Sequence, residues 1–135
     1  MDETCAELGE YISKISRLIQ HRSRQLPMAP HQSRALSIIA EQDIHLAELA
    51  AQLQVTPRAV TEVVRALSEL HLVKVQTNPK DRREKIISIT PAGRKALNTT
   101  LEAQDAIARE LFEPLSPEQR DHLKQLLGIV LEGSA

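Results

Sequence analysis

The sequence holds one cysteine, one tyrosine, one phenylalanine, no tryptophan and four glycines in 135 residues. A single thiol, Cys5, closes no intrachain disulfide, and no three- or four-cysteine zinc set can be assembled. His21, His31, His45, His71 and His122 contain no His-x-x-x-His pair and have no neighbouring carboxylate cluster. No metal or cofactor is expected. The scarcity of aromatics leaves no stacking pocket for a flat ligand. The glycines build no phosphate-cradling loop, the cysteine has no matched histidine at a recognisable spacing, and no carboxylate pair stands out, so an enzyme is not expected. No apolar run approaches the roughly 18 residues of a membrane span. The stretch MDETCAELGE is acidic where a signal peptide would be basic and then apolar. These absences predict a soluble, cytoplasmic protein with no membrane partner.

What is present is a chain with 41% hydrophobic residues, enough for one compact domain or a small core with extensions. Its net charge of -1 hides an uneven distribution. Residues 56–95 hold nine Lys and Arg against four Asp and Glu, a balance of +5, and the remainder carries -6. One face is thereby suited to an anion while the rest of the chain keeps the protein soluble.

Periodicity predicts mostly helices. Thr4 and Glu7 have capping-box spacing, and Leu8, Tyr11, Ile12, Ile15, Leu18 and Ile19 follow at helical intervals, giving a first helix to about Gln25. Pro30 suits the first position of a second, ending near Asp43, with Leu36, Ile38, Ile39 and Ala40 toward the core. A short third helix carries LAELAAQL. Thr56 and Pro57 start a fourth, with Val60, Val63, Val64, Leu67 and Leu70 on one face. VKVQT and IISIT alternate as strands around an Asn78-Pro79 turn. Thr90 and Pro91 start a fifth helix with Leu97, Leu101, Ile107, Ala108, Leu111 and Phe112 along one side. Ser116, Pro117 and Gln119 start a sixth with Leu123, Leu126, Leu127, Val130 and Leu131.

Two helices joined by a tight turn and followed by a hairpin are in the order of a winged helix-turn-helix. In that geometry the third helix crosses the phosphate backbone and the fourth enters the major groove, presenting Arg58, Thr61, Glu62 and Arg65. The hairpin stretch NPKDRREK sets Lys80, Arg82, Arg83 and Lys85 against Asp81 and Glu84, and a basic tip can reach the adjacent minor groove.

The segment Met28 to Gly93 resembles the MarR family of transcription regulators through QSRALSII, LAELAAQLQVTPRAVTEVVRAL and LVKVQTNPKDRREKIISITPAG. The wing's D-x-R appears as Asp81 and Arg83, and the family's L-T-x-x-G as Ile89, Thr90 and Gly93. The resemblance implies a mainly α fold with a small β-hairpin wing. It implies a helical dimerisation lobe from 1–27 and 108–135, and a winged helix-turn-helix with its connecting helix over 28–107. It further implies a homodimer that binds a pseudo-palindromic duplex of double-stranded DNA and represses genes until a small molecule or oxidant releases it.

The expected DNA-contacting residues are Thr56, Arg58, Thr61, Glu62, Arg65, Lys80, Asp81, Arg82, Arg83 and Lys85. Arg17, His21 and Arg24, near where family pockets open, either bind a carboxylate effector or form a polar helix face with no ligand, and the polar face is the expected reading. The chain departs from the family pattern at Glu62, Arg65-Ala66, His71 and Val75. Glu62 either accepts from a cytosine amino group or steers Arg58 and Arg65; steering is expected, because a carboxylate near phosphates is usually paired. His71, where the family usually has Gly, is expected to strain the turn into the strand. Arg83 either enters the minor groove or pairs with Asp81 to shape the wing. The alternatives to a regulator of this kind are a winged-helix protein-binding module and a redox sensor acting through Cys5. Glu3 and Glu7 beside that cysteine oppose the helix dipole that would activate it.

Overall fold

Proline fixes φ near the helical value and has no N–H to leave unsatisfied, so the first position of a helix suits it. Four helices among the described residues begin that way. In the computed structural model, which describes residues 3–134, the order is α1 (Glu3–Ser23), α2 (Pro30–Glu41), β1 (Ile44–His45), α3 (Leu46–Leu53), α4 (Pro57–Glu69), β2 (Val73–Asn78), β3 (Asp81–Ile89), α5 (Pro91–Phe112) and α6 (Pro117–Gly133). The caps expected beside three of these prolines are formed. Thr56 Oγ1 accepts from the Ala59 N–H at 3.1 Å and Thr90 Oγ1 from the Gly93 N–H at 3.0 Å. Ser116 Oγ accepts from the Gln119 N–H at 3.2 Å while Gln119 Oε1 accepts from the Ser116 N–H at 2.9 Å, a reciprocal capping box.

The described residues fall into two compact units, one running through Gln104 and the other from Asp105. In the first, Leu36, Ile39, Ile44, Leu49, Val60, Leu67 and Ile87 are almost fully buried. Each removes an aliphatic side chain from water, about 1.5–3 kcal/mol apiece before entropy is counted. This core lies under α2, α3, α4 and the sheet. The sheet is antiparallel with strand order β1-β3-β2. Val73 pairs with Ile89, Val75 with Ile87 and Thr77 with Lys85, and β1 adds Ile44 opposite Ile87. The second unit, the end of α5 with α6, buries no α6 side chain, and α1 in the first buries none either.

Several boundaries differ from the sequence reading. Thr4 lies inside α1 rather than at its cap, and that helix stops at Ser23, two residues short of Gln25. The second helix stops at Glu41 because Gln42 is already extended, leading into β1. That two-residue strand was not anticipated, being too short for alternation to register. Leu70, placed on the apolar face of α4, is the C-cap and 57% exposed, and Leu101 is exposed as well. The hairpin also reaches further than VKVQT and IISIT: β3 begins at Asp81, so Arg82, Arg83 and Lys85 stand on a strand. No helix among the described residues is long and apolar enough to cross a membrane.

Candidate nucleic-acid interface

The turn between α3 and α4 is made by Gln54, whose φ of 57° and ψ of 44° are left-handed. A non-glycine residue accepts that conformation at a cost of about 1–2 kcal/mol. Its N–H donates to the Ala51 carbonyl and that of Val55 to the Ala50 carbonyl, which closes α3 and lets Thr56 cap α4 two residues later.

Burial divides α4 lengthwise. Val60, Val64 and Leu67 are buried, whereas Arg58, Thr61, Glu62 and Arg65 are exposed. The Thr61 hydroxyl donates to the Pro57 carbonyl at 2.8 Å, leaving its methyl and lone pairs outward. Glu62 is ion-paired with Arg65 one turn away and not with Arg58, so it holds one of the two arginines it was expected to steer. Arg58 has no side-chain partner among the described residues.

The wing sorts its charges in the same way. Lys80 N–H donates to Asn78 Oδ1 at 3.0 Å, which shapes the tip as an Asx turn. The register shift between Thr77 and Asn78 falls beside it. Asp81 Oδ1 accepts from the Arg83 N–H at 3.0 Å and lies 3.4 Å from Arg83 Nε, although the Arg83 side chain is 94% exposed. Lys80, Arg82 and Lys85 are exposed, with no side-chain partner among the described residues. Sequence reasoning missed the second carboxylate. Glu84 accepts from Asn78 Nδ2 at 2.6 Å and lies 3.0 Å from His45 Nδ1. Only the presence of an acid in a basic hairpin hinted at this.

The base of the wing explains two further residues. His71 has φ of 61°, the left-handed conformation expected from its standing where the resembled family usually has Gly. Its carbonyl accepts from the Thr90 hydroxyl at 2.7 Å. Gly93 is required by contact: a Cβ there would stand 2.1 Å from the Leu72 carbonyl oxygen.

Of the three candidate effector residues, one lines a cavity. Arg24 lines a cavity of about 480 Å³ with Gln20, Ser23, Pro27 and Gln32, whereas Arg17 and His21 are exposed on α1 and do not line it. Cys5 is exposed. No group of His, Cys, Asp and Glu among the described residues is placed to hold a metal ion.

Residues 31–93 match the family model described as the winged helix DNA-binding domain. An uncharacterized HTH-type transcriptional regulator of Mycobacterium leprae is 23% identical over 128 residues, 94% of this chain and 90% of that protein. A MarR family transcriptional regulator from Streptomyces coelicolor, solved in complex with DNA, superposes with a TM-score of 0.79 at 22% identity, covering 98% of this chain and 89% of that one. The structure of MarR gives 0.77 at 21% identity, covering 96% and 89%. Fold and domain match together place the chain in the class of proteins that carry a winged-helix DNA-binding domain. Within it, the chain has the fold of the MarR family.

Proposed function

We propose that the chain works as a homodimer that binds a pseudo-palindromic operator and represses transcription until an effector releases it. The observation that carries the DNA reading is the lengthwise division of α4. The helix spends its apolar face on its own core and leaves Arg58, Thr61, Glu62 and Arg65 outside, in the same unit as a wing with uncompensated Lys80, Arg82 and Lys85. In the major groove, Arg58 and Arg65 meet base edges or phosphates, with Glu62 holding Arg65. Thr56, at the helix N-terminus, brings backbone N–H groups toward a phosphate. The wing follows the adjacent minor groove, with Asp81 orienting Arg83 while Arg82, Lys80 and Lys85 neutralise phosphates.

Dimerisation rests on the uncovered apolar residues of α1 and α6, among them Ile12, Ile19, Ile129 and Leu131. A second copy supplies the missing partner, with 1–27 and 108–135 as the dimer lobe and 28–107 as the DNA-binding region. An acidic small molecule beside Arg24, with Arg17 and His21 nearby on the chain, is the effector class those side chains suit. Such a protein operates in the cytoplasm. A protein-binding module would need an apolar patch on the outer face of α4, where the residues are instead polar and charged.

Selection of bound fragments from a randomised duplex pool, followed by footprinting, tests this reading. Two half-sites centred about one helical turn apart, roughly 10 base pairs, are expected. A footprint of one half-site per dimer, or binding without sequence preference, would refute it.

A further inference from the structure

Both carboxylates of NPKDRREK are engaged, and one of them reaches beyond the wing. Asp81 serves Arg83, two residues away. Glu84 divides its oxygens between elements: Oε2 accepts from Asn78 Nδ2 at the end of β2, and Oε1 lies 3.0 Å from Nδ1 of His45. His45 is the last residue of β1 and the N-cap of α3. Because the Oδ1 of Asn78 accepts from the Lys80 N–H, a chain of polar contacts runs from the wing tip through Asn78 and Glu84 to the start of the helix-turn-helix.

We infer that Glu84 is a positioning residue of the DNA interface, tying the wing tip to the start of α3 so that wing and recognition helix meet DNA as one preorganised surface. The backbone shows why a tie is useful here. β1 pairs with β3 only at Ile44↔Ile87 and His45↔Ile86, so toward the tip the wing is a two-stranded ribbon, marginal on its own. Glu84 stands two residues beyond Ile86, on the same face by alternation, and continues by side chain the connection that the ladder no longer makes. A looser wing spends less time in the competent geometry, and apparent affinity falls by that fraction. Charge alone predicts the opposite sign, since removing a carboxylate from a surface that faces phosphates strengthens binding to every duplex.

The inference rests on the DNA-binding reading, and its test separates the two. Glu84→Asp keeps the charge but shortens the arm. It and His45→Ala should each weaken binding to a duplex selected by the parent protein on the order of tenfold, the loss of one polar contact to a charged group. The double variant should be no weaker than the worse single one. In the free proteins, amide exchange over residues 77–86 should quicken. Glu84→Asp binding like the parent, multiplicative losses in the double variant, or unchanged exchange would each overturn the tether. If the parent selects no duplex, the DNA reading fails, and the exchange measurement still decides whether Glu84 holds the wing.

Discussion

Helices α4 and α6 start alike and end up exposing opposite kinds of face. Each opens on a hydroxyl cap and a proline, Thr56-Pro57 and Ser116-Pro117, and each carries an apolar stripe. In α4 that stripe is covered by the chain's own core, with Leu67 at 0% exposure, so what faces outward is Arg58, Thr61, Glu62 and Arg65. In α6 the stripe stays uncovered, with Leu131 at 72%. Amphipathicity alone does not say which face of a helix is functional. The faces left exposed differ: a polar one on α4, which the DNA-binding proposal uses, and an apolar one on α6, which the proposed dimer would cover.

Substitutions in the two stripes should break this comparison most sharply. Leu67→Ala empties a filled position in the core and should cost about 3 kcal/mol of stability in urea denaturation, whatever the protein concentration. Val130→Glu on α6 removes nothing buried within one chain. It should leave the helical content intact but abolish the concentration dependence of the melting temperature, with sedimentation moving from dimer to monomer at micromolar concentration. A Val130→Glu protein that remained dimeric would remove α6 from the interface.

Next in size comes the outward face of α4. Arg65→Ala should cost on the order of 1–3 kcal/mol, mainly on the selected operator, and so narrow the gap to scrambled duplex. Glu62→Ala should cost less. The exposed Glu62–Arg65 pair is worth at most about 1 kcal/mol, and freeing Arg65 relaxes base preference without removing its charge. Equal losses on operator and scrambled duplex for Arg65→Ala would reduce Arg65 to a phosphate contact.

Those faces were legible in the sequence because their causes are local. The three Thr/Ser-Pro pairs announced helix starts, and Val60, Val64 and Leu67 announced the buried side of α4. Other features depend on residues brought together from a distance or on conformations that composition does not encode. β1 is two residues long and exists only because β3 offers it an edge. Gln54 takes a left-handed turn without a glycine to signal it, whereas His71 was flagged by standing where the resembled family usually has Gly. The tie from Glu84 to His45 crosses 39 positions of sequence, and nothing local predicts it. The sequence left open which wing arginine is held and which is loose. The structure pairs Arg83 with Asp81 and leaves Arg82 unpaired among the described residues.

The smallest expected effects belong to the wing lysines, and they sharpen the comparison by adding a third kind of exposed face. Lys80 and Lys85 are point charges on flexible stems, with no side-chain partner among the described residues. Unlike Arg65, neither is steered by a carboxylate, so neither has a preferred direction from which to read a base. If they meet phosphates, each Lys→Ala change should weaken binding to operator and scrambled duplex alike and reduce the magnitude of the salt slope by about one. Specificity, the ratio of the two affinities, should not move. Titrations at several salt concentrations on both duplexes separate this from the Arg65 result, in which the ratio moves and the slope changes little. Replacing Lys80, Arg82, Arg83 and Lys85 together by Ala should reduce the slope by several units. If that protein bound both duplexes as tightly as the parent, the charges of NPKDRREK would be only a solvated strand edge that discourages pairing with another chain.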